Sequence, residues 1–428
     1  MSVILKNERG LLMNYRIRFF SIYVLFFSSI NLFAAPANPN ATAETKALLQ
    51  YLVSLSGKKI LSGQESMWND GSGFPSTRDQ YVYQKTGKYP ALYTSDFGDF
   101  GTGNLSDRAK VVTNAIAYHN KGSIIAFQYH MIQPDLADGS GFSAMNIKGS
   151  TYTRIPDILT AGSTLNKEFN KRLDELAGYF KTLESNKIAI LWRPFHEMNG
   201  DWFWWSYQDR FKDLWIYTFN YLTTTKQCNN LLWVFGVNWY ANGSTGKATP
   251  ENYYPGHNYV DVLGCDFYTE YGHAYDKRVH DALRTLGGGK PIAIAENGTM
   301  PDLTTLLTEQ PYWVYWSTWW GFEGSGKGNT DALYSKNYGL ASVITQDEVS
   351  ISTALAPLPV PNRQSAFSLQ TPLNSERFAL YTLTGRRIAP QLMHQGMSSY
   401  NWAPAGIYIG NDMVDGNRQK IRAIHHED

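Results

Sequence analysis

The chain has 428 residues and a formal net charge of +1, enough length for one large domain and a small one. That near-neutral balance gives no basic surface for nucleic acid or for an acidic membrane. Aromatics are plentiful, with 13 Trp and 28 Tyr, more than a core alone requires.

The first element is a leader spanning 1–35. Arg16 and Arg18 form a positive n-region, Phe19 to Phe33 an apolar stretch, and Ala34, Ala35 and Ala37 offer small residues for cleavage. Met13 is an alternative start. The apolar run is shorter than the ~20 residues a spanning helix needs, so we expect an exported, secreted or cell-surface bacterial protein with no membrane span.

From residue 43 to 350, short apolar runs alternate with amphipathic stretches. Strands are predicted at 59–63, 90–95, 123–129, 187–192, 231–237, 260–268, 291–295 and 312–316. Between them, Leu165, Phe169, Leu173, Leu176, Phe180 and Leu183 recur at helical spacing, as do Phe211, Leu214, Trp215, Phe219 and Leu222. This alternation predicts a (β/α)8 TIM barrel rather than a doubly wound sheet, and no dinucleotide fingerprint follows the first strand. Cys228 and Cys265 fall near opposite ends of neighbouring strands, too far apart for a disulfide, so both are expected as free structural thiols. Residues 351–365, with Ala354-Leu-Ala-Pro-Leu-Pro-Val-Pro361, read as a Pro-rich linker. Residues 366–428 contain short strand patterns and are expected to form a small C-terminal β-sandwich.

Two glutamates stand out. Glu197 lies in Trp192-Arg-Pro-Phe-His-Glu-Met-Asn-Gly-Asp201 and Glu296 in Pro291-Ile-Ala-Ile-Ala-Glu-Asn-Gly298. Each follows an apolar run and precedes a Gly-containing turn, the pattern of a barrel strand ending at an active site. Two carboxylates from separate strands are the usual equipment for hydrolysing a glycosidic bond. Glu197 sits among Phe195, Trp202, Phe203, Trp204 and Trp205, surroundings that favour a protonated acid.

Around these glutamates, Arg193 is expected near Glu296, helping to keep it ionised or forming a structural ion pair. Asp266 and Tyr268, two apart on the sixth strand, are expected to point together into the barrel mouth. Trp316, ending the eighth strand, is expected as a stacking floor under the sugar; Trp319 and Trp320 read as that or as packing. His196-Glu-Met-Asn-Gly lacks the second His of a zinc motif, so no metal and no cofactor are expected. Gly324-Ser-Gly-Lys-Gly lacks phosphate-loop spacing, and a glycan on the Asn297-Gly-Thr sequon would block the site.

The long Trp192 to Gly200 motif, followed by Trp202-Phe-Trp-Trp205, resembles glycoside hydrolase family 26, in the retaining (β/α)8 clan A, over about 43–350. The resemblance implies Glu197 as acid/base and Glu296 as nucleophile. His196 stands where most of the clan has Asn, which is this family's own variant. By the same resemblance Tyr268 bonds the nucleophile and His130 binds substrate; Arg193, His196, Trp202, Asp266 and Trp316 complete the expected substrate-binding set. The implied activity is endo-β-1,4-mannanase, with a mannan-type polysaccharide as partner. The same machinery acting on β-1,3-xylan or mixed-linkage glucan is the alternative, as is a non-catalytic glycan-binding protein. In the tail, Leu383-Thr-Gly-Arg-Arg387 and Gly406-Ile-Tyr-Ile409 resemble a type IX secretion sorting domain, and a carbohydrate-binding module is the other reading.

Overall fold

The computed structural model describes residues 35–352, except 68–69, 71–72, 99–106, 138–139, 142–144, 241–245 and 325–327. Outside that range it describes the backbone of Val3–Lys6, Leu12–Tyr15, Phe378–Thr382, Gly406–Val414 and Arg418–His426. The expected apolar leader stretch, residues 353–365 of the expected linker and the middle of Gly324-Ser-Gly-Lys-Gly lie outside the described residues. The chain divides into two compact units, Met1–Leu355 and Ala356–Asp428.

In the first unit eight parallel strand positions close into a barrel. β1 runs Ile60–Leu61 and resumes as Gly63–Glu65. The next are β2 (Leu92–Asp96), β3 (Ile124–Tyr129), β4 (Ile190–Pro194) and β5 (Leu231–Asn238). The circuit ends with β6 (Val262–Phe267), β7 (Ile292–Asn297) and β8 (Trp313–Thr318), and β8 pairs back onto both halves of β1. β1 is interrupted at Ser62, whose N–H and hydroxyl both donate to Ile344 O of a short extra strand, β9 (Val343–Ile344).

Period-two alternation sorts each strand's residues. On β4, Leu191 faces the barrel interior while Ile190 and Trp192 pack outward under the helices. Helix α1 (Ala43–Leu55) joins Leu48, Leu49, Leu52 and Leu55 to the interior cluster and closes the barrel's base. The long helix at Thr164–Ser185 begins where the Ser163 hydroxyl accepts the Asn166 N–H. Its six periodic apolar residues are all buried, each contributing roughly 1.5–3 kcal/mol by leaving water.

Two strands break the alternation. Ile292 and Ile294 of β7 oppose Trp313 and Trp316 of β8, so β8 carries one extra residue between them. Higher up, Ile294 and Glu296 oppose Cys265 and Asp266, so β7 carries the extra residue. Such bulges re-aim every side chain beyond them. Both cysteines are free and buried. Among the described residues no helix is long and apolar enough to cross a membrane. The second unit contains a three-stranded antiparallel sheet, β10 (Phe378–Thr382), β11 (Gly406–Val414) and β12 (Arg418–His426), with β11 central.

Candidate active site

A cavity of about 830 Å³ opens at the C-terminal mouth of the barrel, lined by both Glu197 and Glu296. The two reach it by different local devices. Glu296 is still on β7, and the bulge beside Ala295 turns its side chain into the mouth. Glu197 lies beyond the end of β4, in a turn where Phe195 (φ 50°) and Glu197 (φ 55°) are both left-handed. Non-glycine residues adopt that conformation at a cost of ~1–2 kcal/mol. The turn is held by the Glu197 N–H donating to Gly236 O at 2.8 Å and Trp205 Nε1 donating to His196 O at 2.7 Å.

Carboxylate oxygens of Glu197, Glu296 and Asp266 come within 4.8 Å of one another. Arg193 reaches two of the three. Its Nη1 donates to Asp266 Oδ2 at 2.6 Å, and its Nη2 donates to Glu296 Oε2. Burial opposes the Arg193 charge, but Asp266 and Glu296 more than offset it and raise its pKa. Gly236 makes room for this arginine, since a Cβ there would meet Arg193 Cδ at 2.8 Å. The other oxygen of Glu296 accepts from the Tyr268 hydroxyl. Burial first, then the Glu296 charge, push the Tyr268 phenol well up, so it stays a donor.

Glu197 is treated differently. Burial first, then the charge of Glu296, lift its carboxyl to about 8, against the pull of a 2.6 Å hydrogen bond from Trp202 Nε1 and of Arg193. It therefore carries a proton at neutral pH. Beside it, His196 Nε2 lies 3.1 Å from His130 Nε2, and His130 Nδ1 lies 2.6 Å from Asp96 Oδ2. Burial, then His130 and Arg193, push the His196 pKa well down, so that ring is neutral.

Of the sequence-derived set, Glu197, Glu296, His130, His196, Trp202 and Tyr268 line the cavity. Three expectations need correction. Trp316 is fully buried and packs on Tyr338 at 5.8 Å between ring centroids, away from the cavity. The extra residue in β8 reverses its facing, and Trp319, two residues past the next inward position at Ser317, lines the mouth instead. Arg193 and Asp266, 4% and 0% exposed, lie beneath the cavity floor and are not among its lining residues. Sequence reasoning passed over Glu65, Asp96 and Gln128, which hold these groups from below. It also missed Trp239, Tyr240, Tyr271 and His273 on the wall. For Gln128 the usable signal was parity, since it lies two residues before His130 on an apolar strand.

The Glycosyl hydrolase family 26 model matches residues 37–348. A mannan endo-1,4-beta-mannosidase of Thermothelomyces thermophilus is 30% identical over 327 residues, covering 73% of this chain and 62% of its own length. This chain thus spans about three fifths of that relative. The mannan endo-1,4-beta-mannosidase of Bacillus subtilis (strain 168) is 31% identical over 67% of this chain and 82% of its own. Among solved structures, GH26A from Muricauda sp. MAR_2010_75 superposes with a TM-score of 0.65 at 33% identity, covering 73% of this chain and 99% of that one.

Proposed function

The chain belongs to glycosyl hydrolase family 26, and from that premise we propose that it is a secreted, retaining endo-β-1,4-mannanase. In this reading Glu296 attacks the anomeric carbon while Glu197 gives its proton to the departing glycosidic oxygen. The resulting glycosyl-enzyme ester is then hydrolysed by water that Glu197 deprotonates. Tyr268 and Arg193 hold the Glu296 carboxylate in line. His130, His196, Trp202 and Trp319 bind the sugars around the scissile bond.

The observation carrying this reading is the unlike pair itself. A carboxyl kept protonated by burial, at about 8, has an oxygen within 4.8 Å of one on a carboxylate held by Arg193 and Tyr268. Inverting enzymes keep their carboxyls about 6.5–9.5 Å apart to fit a water, whereas retaining enzymes need about 5–5.5 Å. The mannan preference rests on the printed activities of the relatives. The segment at 1–35 is read as an export leader, and residues 351–428 as a linker and small β domain serving as a type IX sorting module.

Reducing-sugar release on glucomannan, galactomannan, β-1,3-xylan and lichenan tests the substrate, with glucomannan and galactomannan expected to lead. Preference for xylan or lichenan would overturn the mannanase assignment, and no release on any would support a glycan-binding protein. Glu197→Ala and Glu296→Ala should each lose at least ~10²–10⁴-fold. On an activated aryl glycoside, azide should rescue the first with retention and the second with inversion; the reverse would exchange the two roles. A chain ending near Ser350 should match the full chain on soluble and insoluble mannan alike. A loss on insoluble mannan alone would make the tail a carbohydrate-binding module.

A further inference from the structure

Below the cavity a line of hydrogen bonds crosses the barrel interior. It starts at Glu65, the last residue of β1 and only 1% exposed. Glu65 Oε1 accepts from Gln128 Nε2 at 2.8 Å. The Gln128 oxygen accepts from Arg193 Nη2, and the same Nη2 donates to Glu296 Oε2. A guanidinium can only donate, so the Gln128 amide must turn its oxygen to Arg193 and its NH₂ to Glu65. The orientation of one amide thereby links the far wall of the barrel to the Glu296 carboxylate.

Charge limits what Glu65 can be. Glu65, Asp266 and Glu296 surround one guanidinium, whose bonds run to Asp266, Gln128 and Glu296. An ionised Glu65 would stand with two further buried carboxyl groups around one positive charge, and burial pushes the Asp266 carboxyl well up too. Burial first, then the charges of Glu296 and Asp96, push the Glu65 carboxyl well above the ordinary carboxylate range.

We propose that Glu65 is a positioning residue for the hydrolysis: it holds Gln128, and through Gln128 the Arg193 fork, against the Glu296 carboxylate, acting as a hydrogen-bond acceptor and not as a charge. This rests on the reading of Glu296 as nucleophile. Glutamine at position 65 keeps an acceptor oxygen in the same place. Methionine keeps the volume and removes the acceptor, leaving the Gln128 NH₂ without its partner and Arg193 without a fixed neighbour. Arg193 holds one oxygen of the Glu296 carboxylate, so loosening it misplaces the nucleophile and lowers kcat.

The test compares kcat and KM on mannan for the full-length chain, with thermal unfolding recorded alongside. Glu65→Met should lower kcat by about tenfold or more while KM stays within about twofold, because a misplaced nucleophile slows the chemical step and not substrate binding. Gln128→Met should reproduce that loss, and the double variant should be no worse than either, as expected for members of one network. Glu65→Gln, the conservative rescue, should stay within about threefold of wild type in kcat, since the geometry asks for an acceptor only. A wild-type kcat in Glu65→Met, whatever its melting temperature, would reduce Glu65 to a space-filler. An equal loss in Glu65→Gln would mean that its charge matters, and additive losses would mean that Gln128 and Glu65 act separately. Should Glu65→Met fail to fold, a wild-type kcat in Gln128→Met overturns the proposal on its own. Failure of the nucleophile assignment is read separately, from the azide products of Glu296→Ala.

Discussion

Trp202→Phe isolates a single force on the Glu197 proton. The indole Nε1 donates to Glu197 Oε2 at 2.6 Å and favours the carboxylate, opposing burial and the Glu296 charge, which together lift this carboxyl to about 8. Phenylalanine retains an aromatic face and deletes the donor. A hydrogen bond to a charged group is worth ~1.5–3 kcal/mol, and one pKa unit corresponds to about 1.4 kcal/mol, so complete loss shifts the group by about 1–2 units. Water entering the open cavity recovers part of this, leaving about one unit. The direction is upward, because the form that loses its bond is the charged one. In the proposed mechanism Glu197 must be protonated to assist the leaving group, so the alkaline limb of kcat/KM reports its pKa in the free enzyme. That limb should move from about 8 to about 9. Below pH ~7 both enzymes hold the proton, and the remaining difference is a constant factor from altered stacking. The assay is kcat/KM on mannan across about pH 4–10. An alkaline limb that stays put, or moves down, would refute the assignment of Trp202 as the group restraining this acid.

Three further outcomes follow from positions the sequence misjudged or left open. Trp319→Ala should cut kcat/KM on mannan by about 10–100-fold through lost stacking area, with little change in melting temperature. Trp316→Phe should instead cost ~1–3 kcal/mol of stability while kcat/KM stays within about threefold, and the opposite pattern would restore Trp316 as the floor. Asp79 is buried, and burial lifts its carboxyl from 3.8 to about 7 despite the Tyr118 hydroxyl that donates to it. The native state then binds more protons than the unfolded chain between those values, so stability falls as pH rises through that window. Asp79→Asn should remove the slope, gaining roughly 3–4 kcal/mol on wild type between pH ~4 and ~8 in urea unfolding. Parallel curves would show that Asp79 does not titrate there.

Where the sequence could be read, periodicity carried the reading. All eight barrel strands were visible as apolar runs, but their ends were misjudged by up to three residues. β4 was expected at 187–192 and runs Ile190–Pro194; β7 was expected to stop at 295 and runs to Asn297. Hydrogen-bond ladders set those ends, and a ladder is a property of the neighbouring strand. Parity brought Tyr268 into the mouth against Glu296, but Asp266 reaches Arg193 from beneath it instead of pointing into the mouth. Parity failed at Trp316 because the β8 bulge inserts a residue that no composition signal marks. The left-handed residues Phe195 and Glu197 were equally invisible, since neither is glycine. Glu65 and Gln128 look like ordinary polar residues beside apolar runs, and only the registers between strands bring them under Arg193.

The two glutamates carry identical side chains, so the difference between them must come from the shell. Arg193 and Tyr268 each donate to Glu296, whereas Glu197 receives one indole N–H. The largest force raising Glu197 is burial, which persists through the reaction, but the second is the charge on Glu296, which does not. In the proposed double displacement Glu296 becomes an ester to the sugar and its charge is gone. Glu197 then loses one of the two influences holding its proton while Arg193 and Trp202 continue to favour the carboxylate. Its pKa falls at the step where it has just delivered its proton and must next take one from water. In that mechanism the closeness of the two carboxyls, with oxygens within 4.8 Å of each other, would therefore also switch Glu197 from acid to base. No movement of either backbone is needed, which is consistent with anchoring both carboxyls on strand ends and tight turns rather than on a long loop.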